Sequence, residues 1–479
     1  MENLYLLTEE RAKPKVIIEI LKIYCNEFNK NMEIIGDVKI IPEINNQKHS
    51  FNSYLKGVKI EDIEQIILSS ASGKSSFVDY LVFEQSSLPE KNNDNQNNLV
   101  LMIEETKTSD KESRNTGVYQ RSLKFVYADV FYPDVKKYML YNIEGEHQKP
   151  TKTCLFGTNM LLNQKVGVTG KDIEHFKEFD DIDEVIAFKD SMRPPPRGNV
   201  PVNITINEDI ITISGRLSKP KNAGNIAHDP NMGCLSSIAK TLRVLDWKGK
   251  IIITHHGVKQ EYIDRTRGNK FLNIATHLDV HLEGITFDIS KNIPTTYWYY
   301  EKSSEKIGTI FLHLLAVNLD DSVKSIYENH AGCERGYFYL KNGKGIALPK
   351  KDTNGLELRI PDLILMNNDT EEILVIEGKK SSTLDDGLRE IKNYDPIEKE
   401  YIIPRYPNYS ISRWVTTFGE DIYYGKLNSK VLMHLNTDGS FYVNENAPNW
   451  IKELFKDNTQ ILEDPKELLK DGEKLIVNH

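Results

Sequence analysis

Residues 360–380 read IPDLILMNNDTEEILVIEGKK. Two apolar runs flank a short polar stretch, the pattern of two strands joined by a tight hairpin. Strands are expected over 357–367 and 372–379. Side chains alternate faces along a strand, so Glu377 and Lys379 point the same way, and the hairpin can bring Asp362 beside them. Two carboxylates close together in a half-buried place repel, and a divalent cation is their natural partner. Mg²⁺ there can polarise a phosphate oxygen and activate a water, while Lys379 orients that water or steadies developing charge. Gly378, between the two, lets a backbone approach closely or the strand kink.

The same order occurs earlier in the chain. A strand is expected over 76–84 (SFVDYLVFE), carrying Asp79, and another over 99–107 (LVLMIEETK), ending in Glu105-Thr106-Lys107. Glu105 and Lys107 share a face that Leu101 and Ile103 continue inward, which assigns Glu104 to the other face as a solvated or structural residue. The polar stretch 85–98, QSSLPEKNNDNQNN, reads as a solvated loop between these strands. A helix pattern over 118–130 and a strand over 138–143 follow. In the later copy a helix face of Leu384, Leu388, Ile391 and Tyr394 and a strand over 413–418 follow in the same way. The triplet E-x-K begins at three residues, Glu105, Glu377 and Glu390, so the triplet alone carries little. Glu390 falls in a helix pattern with no strand before it and is set aside. The plainer reading of the other two is a solvated Glu–Lys pair at a strand end.

With its Pro361-Asp362 and Glu377-Gly378-Lys379, the later copy resembles the PD-(D/E)XK nuclease motif found in many type II restriction endonucleases. The earlier copy resembles a looser form that lacks the Pro before Asp79, and the stretch after it is similar to the EcoRI-like group. Two such copies in one chain resemble a BsmI-like arrangement, in which each site cuts one strand of an asymmetric sequence. The resemblance covers roughly 60–150 and 325–420. It implies a Mg²⁺-dependent, sequence-specific endonuclease acting on double-stranded DNA. Asp79, Glu105, Asp362 and Glu377 would be the metal ligands, and Lys107 and Lys379 the catalytic lysines. It also implies an acidic helix residue near the later site, for which Glu328 and Glu334 are candidates.

Composition is compatible with this. The chain has 479 residues, 39% hydrophobic and 27% charged, enough for about two to four soluble domains. Its net charge of −9 excludes nucleic-acid binding by bulk charge and leaves room for a local basic surface. No run is apolar enough to span a bilayer, and no signal peptide is read at the start. The four cysteines are scattered without a C-x-x-C pair, which argues against a disulfide framework or a cysteine zinc site and makes the cytoplasm the expected compartment. MRPPPRGNVP, 192–201, cannot be helix or central strand and marks the expected domain break.

The fold expected is therefore mixed α/β: nuclease-like domains over 1–192 and 311–479, with mixed sheets flanked by helices, around a central DNA-recognition region over 193–310. That region offers Arg216, Lys219 and Lys221 in one polar stretch, and Lys259, Gln260, Arg265, Arg267, Asn269 and Lys270 in another. These residue types contact phosphates and purine edges; the alternative is a solvated surface. A hairpin turning near 207–209, a buried strand over 250–254 and a long helix over 311–328 complete the reading. Ser72-Gly73-Lys74-Ser75 lacks the first Gly of a P-loop, and His255-His256, His277 and His281 lack a third ligand, so neither is taken as a site. Tyr297-Trp298-Tyr299-Tyr300 reads more readily as core than as a stacking platform. The partner expected is double-stranded DNA, bound by a monomer or homodimer. The alternatives are an enzyme with one working site that acts as a dimer, and a non-catalytic DNA-binding or scaffold protein.

Overall fold

A computed structural model describes residues 2–8, 13–44, 51–73, 76–90, 98–106, 117–143, 149–192, 202–217, 229–258, 265–284, 296–300, 305–329, 337–340, 345–419, 430–436 and 441–456. The chain is mixed α/β. It divides into two compact units: Glu2–Thr8 with Ala71–Tyr300, and Glu9–Ser70 with Glu301–His479. Among the described residues no helix is long and apolar enough to cross a membrane.

The unit built on Ala71–Tyr300 holds a sheet in the order Glu2–Thr8, Tyr80–Gln85, Leu99–Thr106, Lys136–Tyr141, Val166–Gly170. The first two pairings are antiparallel and the last two parallel. The helix Gly117–Ala128 makes the crossover between the parallel strands Leu99–Thr106 and Lys136–Tyr141, as a parallel pair requires. A second sheet runs Val280–Glu283, Lys250–His256, Ile210–Arg216, Val202–Asn207. Its hairpin turns at Glu208 and Asp209, where the sequence placed it.

The expected central domain does not stand apart. The helix Asp229–Val244 packs directly on Gly117–Ala128, and a Cβ on Gly233 would lie 1.9 Å from the Tyr119 carbonyl oxygen. The described residues of 202–300 thus belong to the same unit as the Tyr80–Gln85 and Leu99–Thr106 sheet, and no unit boundary falls at the prolines. The proline run itself, 193–201, lies outside the described residues.

In the other unit the main sheet runs Val323–Glu328, Leu363–Asn367, Glu372–Lys380, Ser410–Gly419, Val431–Asn436, Phe441–Val443. Its first four pairings repeat the antiparallel, antiparallel, parallel, parallel order of the first unit. The central strands are buried on both faces. Leu363, Leu365, Leu374 and Ile376 pack against the helix Ile307–Leu319. Ile364, Met366, Ile373 and Val375 pack beneath the helical segment 384–402 through Leu384, Ile391, Tyr394, Ile397 and Ile402. Arg413 ties that segment down, its Nε and Nη2 reaching the two Glu398 carboxylate oxygens at 2.5 and 2.7 Å.

The long helix expected over 311–328 is two elements. It ends at Leu319, Asp320 Oδ1 accepts the Ser322 N–H at 2.9 Å, and Val323–Glu328 continues as an edge strand paired to Leu363–Asn367. An Asp turn followed by residues that pair on a sheet edge outweighs helical spacing here. The strand expected from 357 begins only at Leu363. The helix Pro14–Phe28 buries Val16, Ile17, Ile20, Leu21 and Tyr24 as expected, and closes with Asn29 in the left-handed conformation. The antiparallel strands Met32–Ile44 and Phe51–Ile60 were not anticipated; Ile307–Leu319 rests on the former, and Asn318 Oδ1 accepts the Ile40 N–H at 3.0 Å.

Leu374 is fully buried between the two central neighbours of its sheet and the Ile307–Leu319 helix. Leu374→Ala is expected to cost about 2–5 kcal/mol, read as a lower urea midpoint for the unit that contains it.

Candidate active sites

Register builds both sites. In the second unit Leu363 pairs with Ile376, so the next pair outward sets Asp362 directly across from Glu377 on the face covered by 384–402. Asp362 Oδ2 accepts the Gly378 N–H at 3.0 Å, so the side chain replaces a ladder bond where the hairpin opens. Lys379 Nζ donates to Glu377 Oε1 at 2.7 Å and lies 2.9 Å from Glu390 Oε2 and 3.7 Å from Glu305 Oε2. Tyr394 Oη donates to Glu377 Oε2, and Lys306 Nζ lies 3.6 Å from Asp362 Oδ1. The structure thus brings Asp362, Glu377 and Lys379 together, each less than a tenth exposed. Burial, and then the Asp362 charge, push Glu377 up to about 8. Burial also raises Asp362 against the pull of Lys306, Gly378 and Lys379.

Gly378 explains how the opposite face closes. A Cβ there would meet the Glu305 carbonyl oxygen at 2.8 Å and Thr309 Cγ2 at 3.1 Å. Only a residue without a side chain lets the start of the Ile307–Leu319 helix approach the strand that carries the site. Gly387 does the same on the acid face, where a Cβ would sit 2.7 Å from Lys379 Cγ.

In the first unit the same arithmetic moves the site by one residue. Tyr80 pairs with Ile103, so Asp79 faces Glu104, not Glu105. Asp79 Oδ2 accepts the Glu105 N–H at 2.8 Å, the counterpart of the Asp362–Gly378 bond, and Glu104 Oε1 accepts the Asp79 N–H at 2.8 Å. Glu104 is fully buried while Glu105 is half-buried on the other face, so the acid that faces Asp79 is Glu104 rather than the expected Glu105, and Glu104 is not solvated. Thr106 stands where Lys379 stands in the second site, and Lys107 lies outside the described residues. The ammonium comes instead from the helix Gly117–Ala128: Lys124 Nζ lies 2.9 Å from both Asp79 Oδ1 and Glu104 Oε1, with Arg121 Nε 3.8 Å from Glu104 Oε2. Burial and then the Asp79 charge push Glu104 up to about 8. Burial pushes Asp79 upward too, but Lys124 and Arg121 outweigh it and hold Asp79 below its ordinary value.

Sequence reasoning missed Glu104, Lys124, Arg121, Glu390 and Tyr394. Because 99–103 is apolar throughout, alternation gives it no inward face; the usable signal was the pairing sum, set by the apolar runs of both strands. Glu390, set aside as a helical E-x-K, is brought onto Lys379. Glu328 ends a strand and accepts from His313 Nδ1 at 3.0 Å, and Glu334 lies outside the described residues.

The proposed DNA-reading residues are mostly not placed. Lys219, Lys221, Lys259 and Gln260 lie outside the described residues, as do the side chains of Arg265 and Arg267. Arg216 ends a strand and is half-buried, its carbonyl accepting from Asn231 Nδ2, and Asn269 is half-buried on the helix Arg265–His277. Lys270 corrects its expectation: it is 3% exposed and held by Ser76 Oγ at 2.6 Å and Asp229 Oδ1 at 3.1 Å, so it presents no charge to a phosphate. Tyr297 and Trp298 are core, as the plainer reading had it. His255 is buried edge-on to Phe271, and burial lowers it to about 4.

No protein-family model, curated protein or solved structure matches this chain. Among the described residues no group of three or more His, Cys, Asp or Glu side chains is arranged to hold a metal ion. The acid pairs do fit a hard cation. Each offers carboxylate oxygens only, one member of each is raised by burial and then by its partner's charge, and Mg²⁺ commonly takes one or two carboxylates and completes its shell with water and phosphate oxygens.

Two outcomes follow from this geometry. Because folding raises Glu104 from about 4.5 to about 8, the folded state holds the extra proton between those values, and its stability falls as pH rises through that window. In metal-free buffer the melting temperature should drop more between pH 5 and 8 for the wild type than for Glu104→Gln; parallel curves would refute the burial argument. Gly378→Ala should destabilise its unit by about 1–3 kcal/mol through overpacking against the Glu305 carbonyl, seen as a lower unfolding midpoint.

Proposed function

We propose that this chain is a Mg²⁺-dependent endonuclease of the PD-(D/E)XK type II restriction class, acting on double-stranded DNA in the cytoplasm, with one acid-pair centre for each strand. The observation that carries this reading is the repetition of one unusual local build. In two sheets of the same strand order, an Asp faces a Glu across an antiparallel pair, accepts the N–H of the residue after that Glu, and shares the site with a lysine ammonium. Structural ion pairs have no need to recur at the same register point with two like charges together.

Asp362 and Glu377 would hold the cation in one centre, and Asp79 and Glu104 in the other. Bound there, Mg²⁺ supplies an activated water and charge neutralisation at the phosphate. The chain's own contribution is orientation. Cross-strand register fixes the two carboxylates, and Lys379 or Lys124 offers a donor to charge developing on a phosphate oxygen. The Tyr394 hydroxyl fixes one oxygen of Glu377. Burial keeps bulk water from screening these charges.

One observation favours a second reading in which only the Asp362–Glu377–Lys379 centre cuts and two chains act together. Asp79 and Glu104 already face two cations, Lys124 and Arg121, whereas among the described residues the four acids Asp362, Glu377, Glu390 and Glu305 face three, Lys379, Lys306 and, beside Glu390, Arg359. The first centre is neutralised from within the protein; the second leaves negative charge over.

Supercoiled plasmid tests both. Wild-type protein should linearise it with Mg²⁺ and leave it intact with EDTA. Glu104→Ala and Glu377→Ala should each stop at the open circle, nicking opposite strands, while Glu105→Ala cuts as the wild type does. Full linearisation by Glu104→Ala would move the reading to a single working centre. Absence of any EDTA-sensitive cutting by the wild type would sink the nuclease reading in favour of a non-catalytic DNA-binding or scaffold role.

A further inference from the structure

The helix after the third strand meets the two centres differently. In the first it brings the ammonium itself, Lys124, to both acids. In the second the ammonium comes from the strand, and the helix brings a carboxylate: Glu390 Oε2 lies 2.9 Å from Lys379 Nζ. Gly387, Glu390 and Tyr394 recur at near-helical spacing and all close on the same centre, Gly387 over the Lys379 stem, Glu390 on its ammonium and Tyr394 on the second oxygen of Glu377. Lys379 is thereby held between two carboxylates at hydrogen-bond distance, 2.7 Å from Glu377 and 2.9 Å from Glu390, with Glu305 farther off at 3.7 Å.

That arrangement resolves a conflict within the site. A lysine bound to Glu377 alone would compete with a cation for the same carboxylate, since each neutralises its charge. A second carboxylate beside the ammonium lets Glu377 turn to a cation while Lys379 stays in place. We propose that Glu390 is the positioning residue of this centre: it holds Lys379 so that Glu377 can face a divalent cation. The proposal rests on the nuclease reading and adds to it a residue that the motif does not contain.

The test uses the full chain, stripped of metal, with Glu104→Gln throughout so that only this centre is read. Calorimetric titration with Mn²⁺ is paired with plasmid nicking in Mg²⁺. Loss of a partner that orients a ligand typically costs 10–100-fold, so Glu390→Ala should weaken Mn²⁺ binding about tenfold and slow nicking about 10–100-fold, with DNA affinity in a gel shift unchanged. Glu390→Gln, which keeps an oxygen that can accept from the ammonium, should recover part of both, and it carries the comparison if the alanine variant folds poorly. A double-mutant cycle with Lys379→Met decides the role: with no ammonium left to hold, Glu390→Ala should change Mn²⁺ affinity by less than about twofold. A further tenfold loss in that background would make Glu390 a direct ligand and overturn the proposal. Parental Mn²⁺ affinity and nicking in Glu390→Ala would overturn it as well. A parent that neither binds Mn²⁺ nor nicks would bring down the nuclease reading first, and this proposal with it.

Discussion

Two carboxylates forced to face each other across a strand pair are the constraint on which the rest of this molecule turns. An antiparallel pair sets opposed side chains about 4.5–5.5 Å apart at Cβ, and like charges so placed destabilise the sheet unless something answers them. At Asp362–Glu377 and at Asp79–Glu104 the answer is assembled from neighbouring elements: backbone N–H groups, lysines, a tyrosine hydroxyl, an arginine. Each of those partners requires a particular element to pass close by. The glycines at 378 and 387 and the Arg413–Glu398 pair are what permit that passage in the second unit.

The two centres are solutions to the same electrostatic problem with different closures. In the first, Lys124 and Arg121 lie one helical turn apart on Gly117–Ala128, and together they balance the acids within the fold. In the second, the acids outnumber the cations around them, and burial and then the Asp362 charge push Glu377 up to about 8. An apolar isostere at any of these positions would satisfy packing at lower electrostatic cost.

The middle of the chain shows how little polarity alone says about exposure. Lys270 sits in a run of basic and polar residues that reads as a DNA-facing surface, yet its ammonium is buried between Ser76 and Asp229 and ties the helix Arg265–His277 to the residues that lead into the strand Tyr80–Gln85. Asp229 opens the helix that packs on Gly117–Ala128 through Gly233, so one lysine joins three parts of the unit.

Much of the secondary structure was legible in the sequence because it is locally encoded. The 3.6-residue spacing of Val16, Ile17, Ile20, Leu21 and Tyr24 requires a helix, and the paired apolar runs around Asp362 and Glu377 require a hairpin whose register puts those acids together. Where an element is labelled by its own pattern, neighbours in sequence suffice. Other features are long-range. The strand 99–106 is apolar on both sides, so nothing local told Glu104 from Glu105; the pairing with Tyr80–Gln85 decided it, and a slip of one residue exchanges the two faces. Lys124, Arg121, Glu390 and Tyr394 reach the acids only through the docking of whole helical segments. That docking depends on packing between residues distant in sequence, which no spacing within a single segment records.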